Sequence, residues 1–185
     1  MNSKLILYIC IVSFGFLGRA QESFFLIEAG VRYNLRDNFL ASDIPIFGGP
    51  RSGPGIEITP TWCRNDNQSY GIKLGINVVY ENYKTDAIGA FNFFSAVPSY
   101  RYTLTNKTVR PFVGAGFGGY TLVNAPTNLA PGLSISTGVN VADKINFSVE
   151  YDKMLTELKV DQQAWGTFEN WYYLGMKLSY YFGFK

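Results

Sequence analysis

From Phe24 onward, apolar and polar residues alternate with a period of two over windows of about ten residues, with turn-forming residues between the windows. The pattern predicts eight strands, near Phe24–Asn34, Gly55–Cys63, Tyr70–Glu81, Asn92–Tyr102, Arg110–Leu122, Gly132–Ala142, Ile145–Lys153 and Trp171–Phe184. In the first, Phe25, Ile27, Ala29, Val31 and Tyr33 share a face opposite Glu28, Gly30, Arg32 and Asn34. In the third, Tyr70, Ile72, Leu74, Ile76, Val78 and Tyr80 oppose Gly71, Lys73, Gly75, Asn77 and Glu81. The seventh sets Ile145, Phe147, Val149 and Tyr151 against Asn146, Ser148, Glu150 and Asp152. Helical spacing fits none of these windows. Pro60 and Pro98 fall inside predicted strands, where a missing N–H breaks the ladder, so bulges or early strand ends are expected there.

Alternation alone does not say which face is outside, and a soluble lipocalin-like barrel would turn the apolar face inward. Three features favour the opposite arrangement, an antiparallel barrel in a membrane. The apolar faces are too bulky for an eight-stranded bore, whereas the other faces are rich in Gly, Ser, Asn and Thr. Aromatics cap the apolar faces, with Phe25, Trp62, Tyr70, Tyr102 and Tyr180 at one rim and Tyr33, Tyr80, Tyr151 and Tyr172 at the other. Links after the odd-numbered strands are long, notably Leu35–Pro54 and Met154–Asn170, and those after the even-numbered ones short, such as Asp143–Lys144. Slipping every strand by one residue would turn Glu28, Arg32, Glu57, Lys73, Arg101, Glu150 and Lys177 toward lipid. That penalty is on the order of 10–20 kcal/mol, so the facing is strongly specified.

Composition supports this picture. Charged residues make up 16% of the 185-residue chain and aromatics 17%, and no apolar run reaches the roughly 20 residues of a helical span. The net charge of +2, without a Lys/Arg stripe, gives no ground for nucleic-acid binding. The first twenty residues have the order of a secretory leader: Lys4, an apolar stretch from Leu5 to Leu17, then Gly18 and Ala20 before cleavage at Gln21. The expected organisation is a leader over residues 1–20 and a barrel over 21–185, with Cys63 the one cysteine left in the barrel.

The stretch Ala96-Val97-Pro98-Ser99-Tyr100-Arg101-Tyr102, a short turn, and Arg110-Pro111-Phe112-Val113-Gly114-Ala115-Gly116-Phe117-Gly118 resembles the strand–turn–strand core of small outer-membrane barrels of the OmpA/OmpX type. Tyr173, Gly175, Leu178 and Tyr180 resemble the C-terminal signal of that family. The chain then runs on to Phe182, Phe184 and Lys185, where the family's pattern ends on an aromatic residue. The resemblance implies an all-β, eight-stranded up-and-down barrel in the cell outer membrane. It implies lipid and the barrel-assembly machinery as partners.

The chain has no histidine, which removes Ser-His-carboxylate hydrolysis and most zinc chemistry. The resemblance adds that barrel lipases, lipid A deacylases and outer-membrane proteases each depend on a histidine. No enzyme, cofactor or metal site is expected. Gly114, Gly116, Gly118 and Gly119 lie within a strand with no helix after them, so they read as a tight barrel wall facing the lumen, not a phosphate loop. The seven charged residues named above are expected to form a self-satisfying lumen network. The function expected is structural or interactive, with four loops presented outward. Ile44-Pro45-Ile46-Phe47 in the first long loop, and Leu155, Leu158, Val160, Trp165 and Phe168 in the last, could meet an extracellular ligand. The alternatives are a narrow pore for small solutes and, third, a soluble periplasmic ligand-binding barrel.

Overall fold

The computed structural model describes residues 24–35, 53–82, 88–105, 107–123, 129–156, 158–159, 167–168 and 172–184. The expected leader, its cleavage site at Ala20 and Gln21, and most of the first and last long links lie outside the described residues.

Among the described residues ten strands form: β1 (Phe24–Leu35), β2 (Gly53–Cys63), β3 (Gln68–Asn82), β4 (Ile88–Thr103), β5 (Val109–Leu122), β6 (Ala130–Val141), β7 (Ile145–Met154), β8 (Leu158–Lys159), β9 (Thr167–Phe168) and β10 (Tyr172–Phe184). Eight of them close into an antiparallel barrel in the order β1-β10-β7-β6-β5-β4-β3-β2, each beside its neighbour in the chain. These eight are the predicted strands, lengthened by one or two residues at half of their ends and by four at the start of β4, and shortened by one at the end of β6 and the start of β10. At 10 to 16 residues each, they are long enough to cross a bilayer when tilted. The separate β8–β9 ladder lies within the last long link.

The registers define the stagger of the wall. A path of paired residues leads from Phe25 through Trp62, Tyr70, Tyr100, Ala115, Ile135, Tyr151 and Leu174, and returns to β1 at Leu35. One circuit therefore climbs from residue 25 to residue 35. With standard rise and strand spacing this corresponds to a tilt of roughly 40°.

The facing follows the alternation. Val31, Ile58, Ile135 and Leu178 are 60, 51, 59 and 54% exposed on the outer wall, whereas Glu28, Glu150 and Lys177 on the other face are 1% exposed. Leu74 and Ile76 point out and Lys73 points in, which overturns the soluble barrel with an apolar centre. At the short-turn end, outward rings gather in tilted pairs, Phe25 with Trp62 at 5.4 Å and Tyr70 with Tyr100 at 5.2 Å. At the long-link end, Tyr151 meets Tyr172 at 6.1 Å. The side chain of Tyr80, predicted for that rim, lies outside the described residues.

Four expectations change. Pro60 and Pro98 cause neither bulges nor strand ends. The β2–β3 ladder lapses between the Ile58–Leu74 and Thr61–Gly71 pairs, and the β4–β5 ladder between Ala96–Gly119 and Ser99–Gly116, with the register unaltered across each gap. An antiparallel residue aims its N–H and C=O at one neighbour, so a proline weakens one ladder and leaves the other whole. Accordingly Ile27–Pro60 and Ile72–Pro98 remain paired on the opposite sides.

The link between β3 and β4 is not long. Pairing continues out to Asn82 and Ile88, so the two strands themselves occupy half of it. Gly119 belongs to the outer wall, where an added Cβ would collide with the side chain of Leu129; only Gly114, Gly116 and Gly118 line the lumen side. The last departure is the size of inward side chains. Phe93, Phe112, Tyr120, Tyr173 and Tyr181 are buried, so the bore is not filled by small polar residues alone.

The β6–β7 turn explains one local preference. Ala142 and Asp143 have φ of 53° and 56°, and the Lys144 N–H donates to the Val141 carbonyl at 3.1 Å. This is the primed hairpin geometry that matches strand twist, but it suits Gly and Asn better than Ala. Ala142→Gly is expected to stabilise the barrel by about 0.5–1 kcal/mol, because relief of left-handed strain exceeds the added chain entropy. The urea midpoint of vesicle-embedded protein measures it; a lower midpoint would contradict the strain argument.

Candidate functional site

The candidate site is the charged interior. Strand alternation turns Glu28 and Arg32 of β1, Glu57 of β2, Lys73 of β3, Arg101 of β4, Glu150 of β7 and Lys177 of β10 inward, and the stagger brings them to neighbouring levels. Arg32 reaches Glu57 at 3.4 Å, Glu150 at 3.3 Å and Asp152 at 2.8 Å. Lys177 Nζ lies 2.7 Å from Glu57, 2.9 Å from Glu28 and 3.1 Å from Glu150. Lys73 Nζ is 3.2 Å from Glu150 and donates to Ser134 Oγ at 3.2 Å. Arg101 pairs with Glu28 at 2.9 Å and donates to the Tyr181 hydroxyl.

All seven residues proposed from the sequence thus meet in one network. The eighth member, Asp152, is absent from that set although its inward face was legible from the β7 alternation. It balances the charge: four cations face four carboxylates among the described residues.

Neutral donors reach three of the four acids. Glu28 accepts from Asn146 Nδ2 at 2.8 Å and Ser179 Oγ at 2.6 Å, Glu57 from Thr59 at 3.1 Å, and Asp152 from the Tyr120 hydroxyl at 2.9 Å. Such pairing matters because a buried charge left unpaired costs several kcal/mol. Rings cover the two arginines: the Arg32 guanidinium stands 4.9 Å from the Tyr173 centroid, and that of Arg101 stands 4.3 Å from the Phe112 centroid. Gly175 makes the room this needs, since a Cβ there would collide with the Arg32 guanidinium.

The interior is layered along its axis. Toward the long-link ends of their strands, Phe93, Tyr120, Leu122, Ala130, Met154 and Tyr173 are buried and form an apolar and aromatic cap. The ionic layer lies beneath it. Below that, the short-turn end opens as a cup of about 770 Å³, lined by residues including Cys63, Arg101, Phe112, Asn140 and Tyr181. Cys63 is buried against the wall of the cup as a free thiol. No cluster of metal-ligating side chains occurs among the described residues.

The C-terminal residues that resemble an assembly signal divide between the two faces of β10. Tyr173 and Gly175 are buried on the lumen side, and Leu178 and Tyr180 are exposed on the outer wall.

An apolar, aromatic-rimmed exterior around an ionic interior makes this chain a transmembrane β-barrel with the fold of outer-membrane proteins. Among solved structures, the chain is similar to Neisserial surface protein A, with a TM-score of 0.57 and 17% identity over 87% of this chain and 97% of that one. It is also similar to the outer membrane protein OprG from Pseudomonas aeruginosa, with a TM-score of 0.54 and 13% identity over 88% of this chain and 97% of that one. No protein-family profile and no curated protein sequence matches the chain.

Proposed function

We propose that this chain is a non-catalytic barrel of the bacterial outer membrane with a closed lumen, serving the envelope structurally or through its outward links. Its partners in this reading are outer-membrane lipid, the barrel-assembly machinery during insertion, and a ligand met by the long links. The termini and short turns lie on the periplasmic side and the long links outside. The observation that carries the proposal is the ionic layer: Glu28, Arg32, Glu57, Lys73, Glu150, Asp152 and Lys177 are only 1–5% exposed. Ions that bind one another in a dry bore leave neither room nor free charge for a permeating solute. The absence of histidine from the sequence supports the non-catalytic part of the reading.

Single-channel recording in planar bilayers tests it. The purified barrel is expected to insert without stable conductance. Discrete, reproducible openings would overturn the closed lumen and favour the narrow pore.

A further inference from the structure

The barrel is closed by the pairing of its first strand with its last, from Phe25–Phe184 at one end to Leu35–Leu174 at the other. This seam joins the two ends of the described barrel. Its middle is unfavourable by itself, because Arg32 and Lys177 stand directly opposite one another with both side chains inward. Like charges at directly paired positions repel.

We propose that Glu57 and Glu150 form an ionic clasp that holds this seam shut. These are the two acids that contact both seam cations: Glu57 lies 3.4 Å from Arg32 and 2.7 Å from Lys177, and Glu150 lies 3.3 Å and 3.1 Å from them. They come from β2 and β7, the strands that flank the seam on either side. Each seam cation has one further acid that the other does not contact, Asp152 for Arg32 and, shared with Arg101, Glu28 for Lys177. Only Glu57 and Glu150 neutralise the pair jointly. Closure is therefore conditional: β1 and β10 meet stably only when β2 and β7 have already brought their carboxylates into the bore. A barrel with misplaced flanking strands has two facing cations at its seam and stays open. The clasp thus links the pairing that spans the greatest sequence distance to correct placement of the strands beside it.

Paired cysteines on the outer wall report the seam without touching the network. In a Cys10→Ser, Cys63→Ser background, Val31→Cys with Leu178→Cys spans the seam, and Ala115→Cys with Ile135→Cys spans the β5–β6 pair as reference. The full chain is refolded into lipid vesicles and treated with a short bis-maleimide, each ring of which adds one cysteine thiol. Glu57→Gln with Glu150→Gln is expected to lower seam crosslinking about tenfold relative to the reference pair. Adding Lys177→Met, which removes one of the facing cations, is expected to restore at least half of it. If the double glutamine variant forms no barrel at all, recovery of a heat-modifiable band by Lys177→Met supports the clasp just as well. Equal crosslinking at seam and reference in the double glutamine variant, or no recovery with Lys177→Met, would overturn it.

Discussion

Glu150→Leu is expected to lower the stability of the folded barrel by about 3–5 kcal/mol, the range for removing one partner of a buried ion network. Glu150 is 1% exposed and faces Arg32, Lys73 and Lys177 at 3.3, 3.2 and 3.1 Å. The leucine fills the space but leaves three cations to share Glu28, Glu57 and Asp152 with Arg101. Lys73 suffers most, since Glu150 is its ion-pair partner among the described residues and Ser134 offers only a neutral oxygen. Tryptophan fluorescence during urea unfolding from vesicles gives the magnitude. Combining Lys73→Met with Glu150→Leu should cost less than the two separate losses summed, because groups within one network are not independent. A loss below about 1 kcal/mol for Glu150→Leu would place the interaction in the class of solvated surface pairs and refute a dry ionic core.

Ile135→Arg carries the second large effect, an expected loss of about 2–4 kcal/mol in the same assay. Ile135 lies near the middle of β6, is 59% exposed, and faces away from the lumen. On a water-soluble barrel an exposed apolar residue could be exchanged for arginine with a change within about 0.5 kcal/mol. Against acyl chains the guanidinium must stretch to the interface or drag water inward. Asp66→Arg, in the exposed turn between β2 and β3, serves as the control and should leave the urea midpoint nearly unchanged. Equal tolerance at both positions would remove the membrane from the account.

Strand identity and facing were legible because both are local. A residue's side is set by its parity within the strand, so Lys73 between Ile72 and Leu74 had to turn inward once its neighbours turned out. The same parity marked Asp152, two residues beyond Glu150, as an inward acid. Its partnership with Arg32 and Tyr120 was not legible, since those residues sit on other strands and meet it only across the closed bore. The prolines make the complementary point. Sequence shows that Pro60 lacks a donor, but which neighbour goes without that hydrogen bond depends on how the strands pair. The inward rings of Phe93, Phe112, Tyr120, Tyr173 and Tyr181 escaped notice for a related reason. An aromatic residue suits either a lipid-facing girdle or a lumen cap, and its type does not distinguish them.

The alternation of the chain by itself determined the all-β class, the eight wall strands and the seven charged residues turned to the axis. A period of two survives any choice of partners, because it arises within each strand. Tertiary structure alone decided the ten-residue climb from Phe25 to Leu35 around the wall, and with it which ion meets which. Lys177 and Glu57, 120 residues apart, touch because closure and stagger set their levels, and no local pattern encodes that height.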